Sequence, residues 1–223
     1  PFNISDWGGE KYQDDPRWKF GTPPSGNANY AWLQHILWKL APGGQAGVVL
    51  ANGSMSSNTS GEGDIRKAMI LQDTVEIMIS LPSQLFFNVQ IPVCLWFLTN
   101  DKTKNGRDRS NKTLFIDAKN LGIMETRVFK VLTDDDIKMI SETVYKWKRG
   151  DNYEDINGFC KSSTTEEIEK NNFILTPGRY VGFRENEDDG VSFEEKIKDL
   201  KKRYLESKKE DEVISNKIEK ILD

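Results

Sequence analysis

The sequence has few of the residues that most metal or nucleophilic sites need. It contains two cysteines, Cys94 and Cys160, and a single histidine, His35. Two cysteines exclude a disulfide framework and a cysteine-rich metal cluster, as is typical of proteins of the reducing cytoplasm. With one histidine and no acid at triad spacing, serine–histidine–aspartate hydrolysis and zinc catalysis are poor interpretations. We therefore expect no metal, and we interpret His35 as a helix-face or domain-contact residue.

Long apolar runs and an excess of positive charge are also absent. The longest apolar run, over about residues 91–98, is far too short to cross a bilayer, so we expect neither a membrane span nor a signal peptide. The 31 Lys and Arg residues are outnumbered by 35 Asp and Glu, which gives a formal net charge of −4. This balance excludes a chain-wide basic field that attracts a polyanion. Any contact with nucleic acid would be local, or a partner would supply it.

The first half of the chain alternates helix and strand patterns. Apolar side chains recur at helical spacing over residues 29–40, and Pro42-Gly43-Gly44 ends this pattern. Residues 45–51 are nearly all apolar, which predicts a strand of a parallel sheet covered on both faces. The next predicted elements are a helix over 64–71 and strands over 75–81 and 92–98. This order indicates an α/β fold with a doubly wound sheet, of which about half is present.

A charged turn over residues 101–112 precedes a short predicted strand over 113–118, and the two flanking strands could form a hairpin. Five basic side chains of this turn could reach a phosphate: Lys102, Lys104, Arg107, Arg109 and Lys112. A solvated loop is the more common outcome for such a charge run, and it is the interpretation that we adopt.

From Leu121 onward the pattern becomes helical. Three acids, Asp134 to Asp136, begin a helix whose apolar stripe consists of Ile137, Ile140, Val144 and Trp147. A short acidic helix is predicted near 165–170, and a polar linker over 184–190. Beyond the linker, the residues at heptad spacing from 193 to 221 are apolar except at Ser207 and Asp211, which predicts a coiled-coil-like helix with a partner helix. Packing of this helix on its own chain remains an alternative.

Aromatic residues in irregular stretches indicate a surface for a flat ligand. They include Phe86 and Phe87, between two predicted strands, and a group near the start of the chain: Phe2, Trp7, Tyr12, Trp18 and Phe20. Rings on loops beside an α/β sheet are what an extruded nucleobase stacks on. The alternative is that these rings anchor loops to the core.

Many blocks of the sequence, in order, resemble the modification (M) subunit of type I restriction systems. The first block, Pro1-Phe2-Asn3, resembles the tail of an Asn-Pro-Pro-Phe catalytic loop. The later blocks are residues 14–21, 23–35 and 47–54, Gly61-Glu62, Ile65-Arg66-Lys67, Leu81-Pro82, Leu85-Phe86-Phe87 and residues 91–96 and 175–182. The resemblance covers most of the chain up to about Gly182, and the remaining residues match only in being helical.

The resemblance implies N6-adenine methylation of DNA, a site-specific methyltransferase activity with S-adenosylmethionine as donor. The implied fold is the C-terminal half of a Rossmann-like class I methyltransferase sheet, followed by a helical region with a coiled-coil-like tail. In this family the Asn and a proline carbonyl of the loop accept hydrogen bonds from the exocyclic amine of a flipped adenine, and the Phe stacks on its ring. Pro1 and Phe2 are the implied catalytic residues, whereas the Asn and the first Pro would precede them.

Related adenine methylases place a second aromatic side chain, from the loop between the sixth and seventh strands, against the target base. Phe86 or Phe87 matches this position, and we favour Phe87 because one of the two should face the core. The family's Phe-x-Gly-x-Gly donor loop and the acidic residue that binds the donor would lie upstream. We therefore assign no cofactor-binding residue to this chain and expect the isolated chain to be inactive.

The resemblance also implies partners: DNA, a specificity (S) subunit, a restriction (R) subunit and a second M subunit, all in the cytoplasm. The predicted domains are a partial S-adenosylmethionine-dependent methyltransferase domain over 1–120, a helical extension over 121–183, and a linker with a long assembly helix over 184–223. A second interpretation is a non-catalytic helical assembly or scaffold module, because the chain holds no complete catalytic set.

Overall fold

The computed structural model describes residues 3–183 and 193–222. Pro1, Phe2 and the predicted linker over 184–190 lie outside the described residues. The chain divides into two compact units, Pro1–Arg184 and Glu185–Asp223. Within the described residues, no helix combines the length and the apolar character needed to cross a membrane.

The described part of the first unit contains a five-stranded sheet, a two-stranded hairpin and four α-helices. The helices are α1 (Asn29–Lys39), α2 (Glu62–Leu71), α3 (Asp134–Arg149) and α4 (Thr165–Lys170). The strands of the main sheet are β1 (Gln45–Ala51), β2 (Val75–Ser80), β3 (Val93–Thr99), β4 (Lys112–Asp117) and β7 (Cys160–Thr164). The hairpin is formed by β5 (Ile123–Met124) and β6 (Lys130–Val131).

The order of the main sheet is β1-β3-β2-β4-β7. Strands β1 and β2 both pair antiparallel with β3, so they run parallel to each other with β3 inserted between them. Strand β4 pairs parallel with β2, and β7 closes the far edge antiparallel to β4. The connection β1-α2-β2 therefore leaves a gap of one strand between β1 and β2, and β3 fills this gap, antiparallel to both. The α/β fold and the strand over 45–51 are confirmed, and the other predicted strands of the first half are correct to within one residue at each end.

Two expectations about these strands are wrong. Strands β3 and β4 do not form a hairpin, because β2 lies between them in the sheet. Strand β1 is not covered on both faces: its side chains alternate between exposed and partly buried as far as Val49, and burial is complete only at Leu50 and Ala51. Among the described strands, β1 pairs only on its β3 side, so one face and one edge of it stay open.

Two side chains of the basic turn, Lys102 and Arg109, are buried, which corrects the interpretation of a fully solvated loop. Neither of the two is available to bind phosphate. Arg109 is fully buried, and its Nη2 lies 2.9 Å from Oε1 of Glu76 on β2. The Nζ of Lys102 is also buried and lies 2.5 Å from Oδ1 of Asp73. Glu76 carries no exposed surface, and a buried carboxylate is strongly unfavourable unless a cation compensates it. Arg109 therefore turns toward the sheet, where its charge compensates the buried Glu76 carboxylate.

Helices pack on both faces of the central strands of the sheet. On one face, α1 and α2 bring Tyr30, Leu33 and Met69 against Met78 and Trp96 of the strands. On the other face, α3 packs through its buried Trp147 on a cluster that includes Ile77, Ile79, Leu114 and Ile116. The predicted helix over 134 onward is confirmed, and a capping box between Thr133 and Asp136 begins it.

The segment 121–183 is not only helical, because β7 joins the main sheet. Its sequence, Cys-Lys-Ser-Ser-Thr, lacks the apolar alternation that predicts a strand. The short helix predicted near 165–170 is confirmed as α4, which begins directly after β7 with a second capping box at Thr164 and Glu167.

The described part of the second unit contains one long helix, α5 (Phe193–Leu222), over the residues for which a long helix is expected. The described side chains of its apolar seam, Ile197, Leu200, Tyr204 and Ile214, are exposed. A partner helix for this seam remains a prediction.

Candidate active site at the carboxyl edge of the sheet

The carboxyl ends of the parallel strands meet at one edge of the sheet. The segments that leave β1 at Asn52, β2 at Leu81 and β4 at Ala118 all emerge there. The N-terminus of α1 lies at the same edge, since the Tyr30 hydroxyl donates to the Ser54 carbonyl oxygen at 2.7 Å. Ligands of open α/β sheets bind outside the carboxyl ends of the strands. We call this region the carboxyl edge.

The first described residue, Asn3, is fixed at the carboxyl edge. Its backbone N–H donates to Asn29 Oδ1 at 3.1 Å, and Asn29 Nδ2 donates back to Asn3 Oδ1 at 2.8 Å. The carbonyl of Ile4 also accepts from the N–H of Ala28 at 2.9 Å. The predicted catalytic residues Pro1 and Phe2 lie outside the described residues, so their proximity to the Phe86-Phe87 loop stays a prediction.

The other predicted aromatic residues lie on the loop that joins β2 to β3. Phe87 is 83% exposed, and one face of its ring stacks on Phe129 at 4.4 Å between centroids and 10° between planes. Phe86 is 39% exposed and forms an isolated bridge with Val89. Neither ring is buried, which differs from the expectation that one of the two faces the core. Phe87 offers the larger free surface, and the choice between the two rings stays a prediction.

The β5–β6 hairpin supports this aromatic loop. The N–H of Lys130 donates to the Gln84 carbonyl at 2.8 Å, one residue from the Phe129 ring that stacks on Phe87. The hairpin is held in turn by Asp136, whose Oδ2 accepts from the N–H of Gly122 at 3.1 Å. No sequence signal pointed to Phe129, because strands of two residues are too short for a periodic pattern.

A second group of edge residues joins the ends of β2 and β4. The Ser80 hydroxyl donates to Asp117 Oδ1 at 2.9 Å, and the Nζ of Lys119 lies 2.8 Å from Asp117 Oδ2. Gly178 lies against this pair: a Cβ there would stand 3.2 Å from Asp117 Oδ2. Lys119 is exposed and is thus the cation of this group that a polyanion can reach. Residue types alone did not single out these side chains.

The late block over 175–182 folds back onto the carboxyl edge. The N–H of Leu175 donates to the Met55 carbonyl at 2.9 Å, and the Tyr180 ring stacks on Phe115 of β4 at 3.8 Å between centroids. The block is thus part of the same core as the sheet.

Two buried oxygens near the edge lack partners among the described residues. Oδ1 of Asn52, directly after β1, and Oε1 of Glu62, in the first turn of α2, make no hydrogen bond there. A buried polar atom without a partner costs free energy, so water or a ligand is expected to satisfy each. Among the described residues, no group of three or more His, Cys, Asp or Glu side chains could hold a metal ion.

Comparison with known proteins gives a consistent result. The family model described as N-6 DNA Methylase matches residues 1–189. The chain is 54% identical over 199 residues to the type I restriction enzyme HindI methylase subunit of Haemophilus influenzae. The aligned region covers 89% of this chain and 44% of that protein. It is 42% identical over 231 residues to the MjaIX methylase subunit of Methanocaldococcus jannaschii, covering 100% of this chain and 40% of that protein.

Solved structures give the same fold. The methyltransferase subunit of a type I restriction-modification system from Streptococcus thermophilus aligns with a TM-score of 0.68 at 30% identity, over 81% of this chain and 36% of that one. The M protein of the type I restriction enzyme EcoKI aligns with a TM-score of 0.57 over 77% of this chain and 41% of that one, and at 16% identity it supports the fold alone. The chain therefore spans less than half the length of the relatives that it matches.

Proposed function

Because the chain belongs to the N-6 DNA methylase family, we propose that it is part of the methylase subunit of a type I restriction-modification enzyme. The proposed reaction is transfer of a methyl group from S-adenosylmethionine to N6 of adenine in DNA. The observation that carries this proposal is the 54% identity, over 89% of the chain, to a type I methylase subunit. Since the chain spans 44% of that relative, the activity is proposed for the longer protein.

In this proposal the chain contributes one wall of the site for the target adenine. Support comes from the exposed Phe87 on a loop at the carboxyl edge and from the hydrogen bonds that fix Asn3 next to α1. Pro1 and Phe2 would supply the end of the catalytic loop, with the Phe2 ring on the base. Phe87, or Phe86 beside it, would cover the base from the side of the β2–β3 loop. Such rings hold an extruded base by stacking.

The described residues alone do not fit the methyl donor. A nucleoside donor needs a glycine-rich turn after a strand and a free carboxylate for its ribose hydroxyls. At the carboxyl edge, both oxygens of Asp117 are bonded, by Ser80 and Lys119, and the Glu62 carboxylate, whose Oε2 accepts from the Ser57 hydroxyl, is buried. We place the donor in the part of the longer protein that this chain does not span, and we derive no step through it.

The proposed partners follow from charge and from the second unit. With a net charge of −4, the chain suits an arrangement in which a specificity subunit reads the DNA sequence. The exposed seam of α5 suits packing against a helix of that subunit. A restriction subunit and a second methylase subunit complete the proposed cytoplasmic assembly.

The second candidate function is a non-catalytic helical assembly module. The exposed apolar seam of α5 favours it, because a helix of 30 residues with such a seam is suited to association. The two candidates differ in one observation, the sequence before Pro1. An Asn-Pro directly upstream, with a glycine-rich turn further upstream, belongs to the enzyme only.

The experiment is to assemble the full-length subunit with its specificity partner and supply DNA and labelled S-adenosylmethionine. Nucleosides from the digested DNA are then identified by mass spectrometry. The proposal predicts labelled N6-methyladenine. Label in cytosine, or no transfer by an intact assembly, would contradict it and leave the assembly module as the function.

A further inference from the structure

An aromatic cavity of about 200 Å³ lies beside α1, outside the site described above. Three tryptophans, a tyrosine, an arginine and a histidine form most of its lining: Trp7, Trp18, Trp32, Tyr12, Arg17 and His35. Ligand pockets for drug-sized molecules begin near ~300 Å³. This cavity is smaller and thus suits a single flat ring system.

Hydrogen bonds hold two of the indoles in fixed positions. The Nε1 of Trp7 donates to the Pro24 carbonyl at 3.1 Å, and the Nε1 of Trp18 donates to the Tyr12 carbonyl. The two rings meet edge to face, at 6.0 Å between centroids and 85° between planes. Since both polar groups are already bonded, these indoles offer only apolar ring surface to a ligand.

The charges of the lining argue against an ionic ligand. The guanidinium of Arg17 already stands over the Trp18 ring, 5.1 Å from its centroid, where a cationic ligand would bind. The same guanidinium is neutralised by Asp15, through Nε to Oδ1 at 2.7 Å and Nη2 to Oδ2 at 2.6 Å. This pairing lowers the pKa of Asp15 to about 2, so the pair is intact at neutral pH. Little free charge is left for an anion.

His35 adds one directional hydrogen-bond donor. The Nη1 of Arg17 lies 2.9 Å from Nδ1 of His35. A guanidinium can only donate, so Nδ1 accepts, and the proton of the neutral imidazole is on Nε2. The lining therefore combines stacking surface with a histidine, and an imidazole N–H is a suitable donor for a ring nitrogen or carbonyl oxygen of a base.

The cavity is close to the proposed adenine site. Trp32 follows Asn29 by three residues on α1, a rise of about 4.5 Å along the helix axis. Asn29 is the residue that holds Asn3. Trp7 belongs to the same segment, four residues after Asn3. DNA bound at the carboxyl edge would thus pass near the cavity.

We propose that this cavity binds a second, unpaired nucleobase of the DNA, distinct from the target adenine. Base extrusion leaves the partner base unpaired and the neighbouring bases without one stacking contact, and aromatic side chains stabilise such bases by stacking. The inference rests on the proposed function, because it takes DNA as the ligand of the longer protein.

The test is photo-crosslinking of the assembled enzyme to a short single-stranded oligonucleotide that carries 5-iodouracil, a base that crosslinks to stacked aromatic rings. Mass spectrometry locates the crosslinked residues. The variant is Trp32→Ala, and the matched control is Trp38→Ala. Both tryptophans are on α1 and exposed, at 41% and 54%, but Trp38 does not line the cavity. Both variants are therefore expected to fold.

The proposal predicts crosslinks at Trp7, Tyr12, Trp18 or Trp32. Their yield should fall about fivefold or more in Trp32→Ala, because each stacked base contributes about 1–3 kcal/mol, and stay unchanged in Trp38→Ala. Crosslinks at Phe87 without any in the cavity would overturn this inference while leaving the proposed function standing. Absence of crosslinks at every site would likewise overturn this inference, whereas the proposed function is decided by the methyl-transfer assay described above.

Discussion

Arg66 on α2 donates its Nε–H to the carbonyl oxygen of Phe173 at 2.7 Å, across 107 positions of sequence. The same fully buried guanidinium donates to the Asn58 side chain at 2.9 Å and to the Ser57 carbonyl at 2.5 Å. Its Nη1 also lies 3.3 Å from the Tyr30 hydroxyl. One side chain thus joins α1, the loop after β1 and the late segment into a single unit.

Replacing Arg66 by alanine is expected to destabilise the first unit by about 3 kcal/mol or more, because several buried acceptors lose their donor at once. Urea unfolding followed by circular dichroism measures this free energy. Arg127→Ala, at an exposed arginine, is the control and should change it by less than ~0.5 kcal/mol. Equal stability of the two variants would show that the guanidinium does not hold the segments together.

Much of the first half could be predicted from sequence, because the signals for its helices and strands lie in neighbouring residues. The apolar periodicity over 29–40 and the Pro42-Gly43-Gly44 stop are properties of neighbouring residues, so α1 was predicted to within one residue. Strand β7 could not be predicted in this way, since its polar sequence becomes a strand only by pairing with β4.

The site was less predictable than the fold because its contacts are long-range. The exposed rings of Phe86 and Phe87 could be found as aromatics between two strands. The Phe129 ring that stacks on Phe87 is 42 positions away. The pairing of Arg109 with Glu76 spans 33 positions, and no local pattern distinguishes a buried arginine of this kind from a solvated one.

Both cysteines are expected to be unreactive in the folded chain. Cys94 is buried, and desolvation raises the pKa of its thiol from 9.0 to about 11; burial raises the pKa of Cys160 as well. Since the thiolate is the nucleophile, alkylation by iodoacetamide at pH 8 should be slow until the chain is unfolded.

The same shift gives a pH dependence with a defined sign. Between pH 9 and about 11 the unfolded chain loses the Cys94 proton while the folded chain keeps it, so stability should decline as the pH rises through this window. The measurement is unfolding in urea at pH 8 and pH 10.5, for the chain and for Cys94→Ala. The decline should be smaller in the variant; an equal decline would assign it to other groups.

Removing residues 193–223 is expected to abolish binding to the specificity subunit without unfolding the first unit. The truncation leaves the compact unit Pro1–Arg184 whole and removes the exposed seam of α5. Size-exclusion chromatography measures the complex, and circular dichroism measures the fold. A truncated chain that still elutes with the partner would refute the assembly role of α5.

The isolated chain is expected not to bind S-adenosylmethionine, because Asp117 at its carboxyl edge is already engaged by Ser80 and Lys119 and the Glu62 carboxylate is buried. Isothermal titration calorimetry of the chain and of the full-length subunit compares the two directly. Heat of binding should appear only with the full-length protein. Micromolar binding by the isolated chain would place the donor site within these 223 residues.

The most direct test of the adenine site is the methyl-transfer rate of Phe87→Ala in the assembled enzyme. If Phe87 stacks on the target base, kcat/KM should fall about fivefold to 150-fold, equivalent to about 1–3 kcal/mol, while Phe87→Tyr keeps a flat ring and most of the rate. Phe183→Ala, at another exposed phenylalanine, is the control and should leave the rate unchanged. A Phe87→Ala enzyme that methylates as fast as this control would contradict the account.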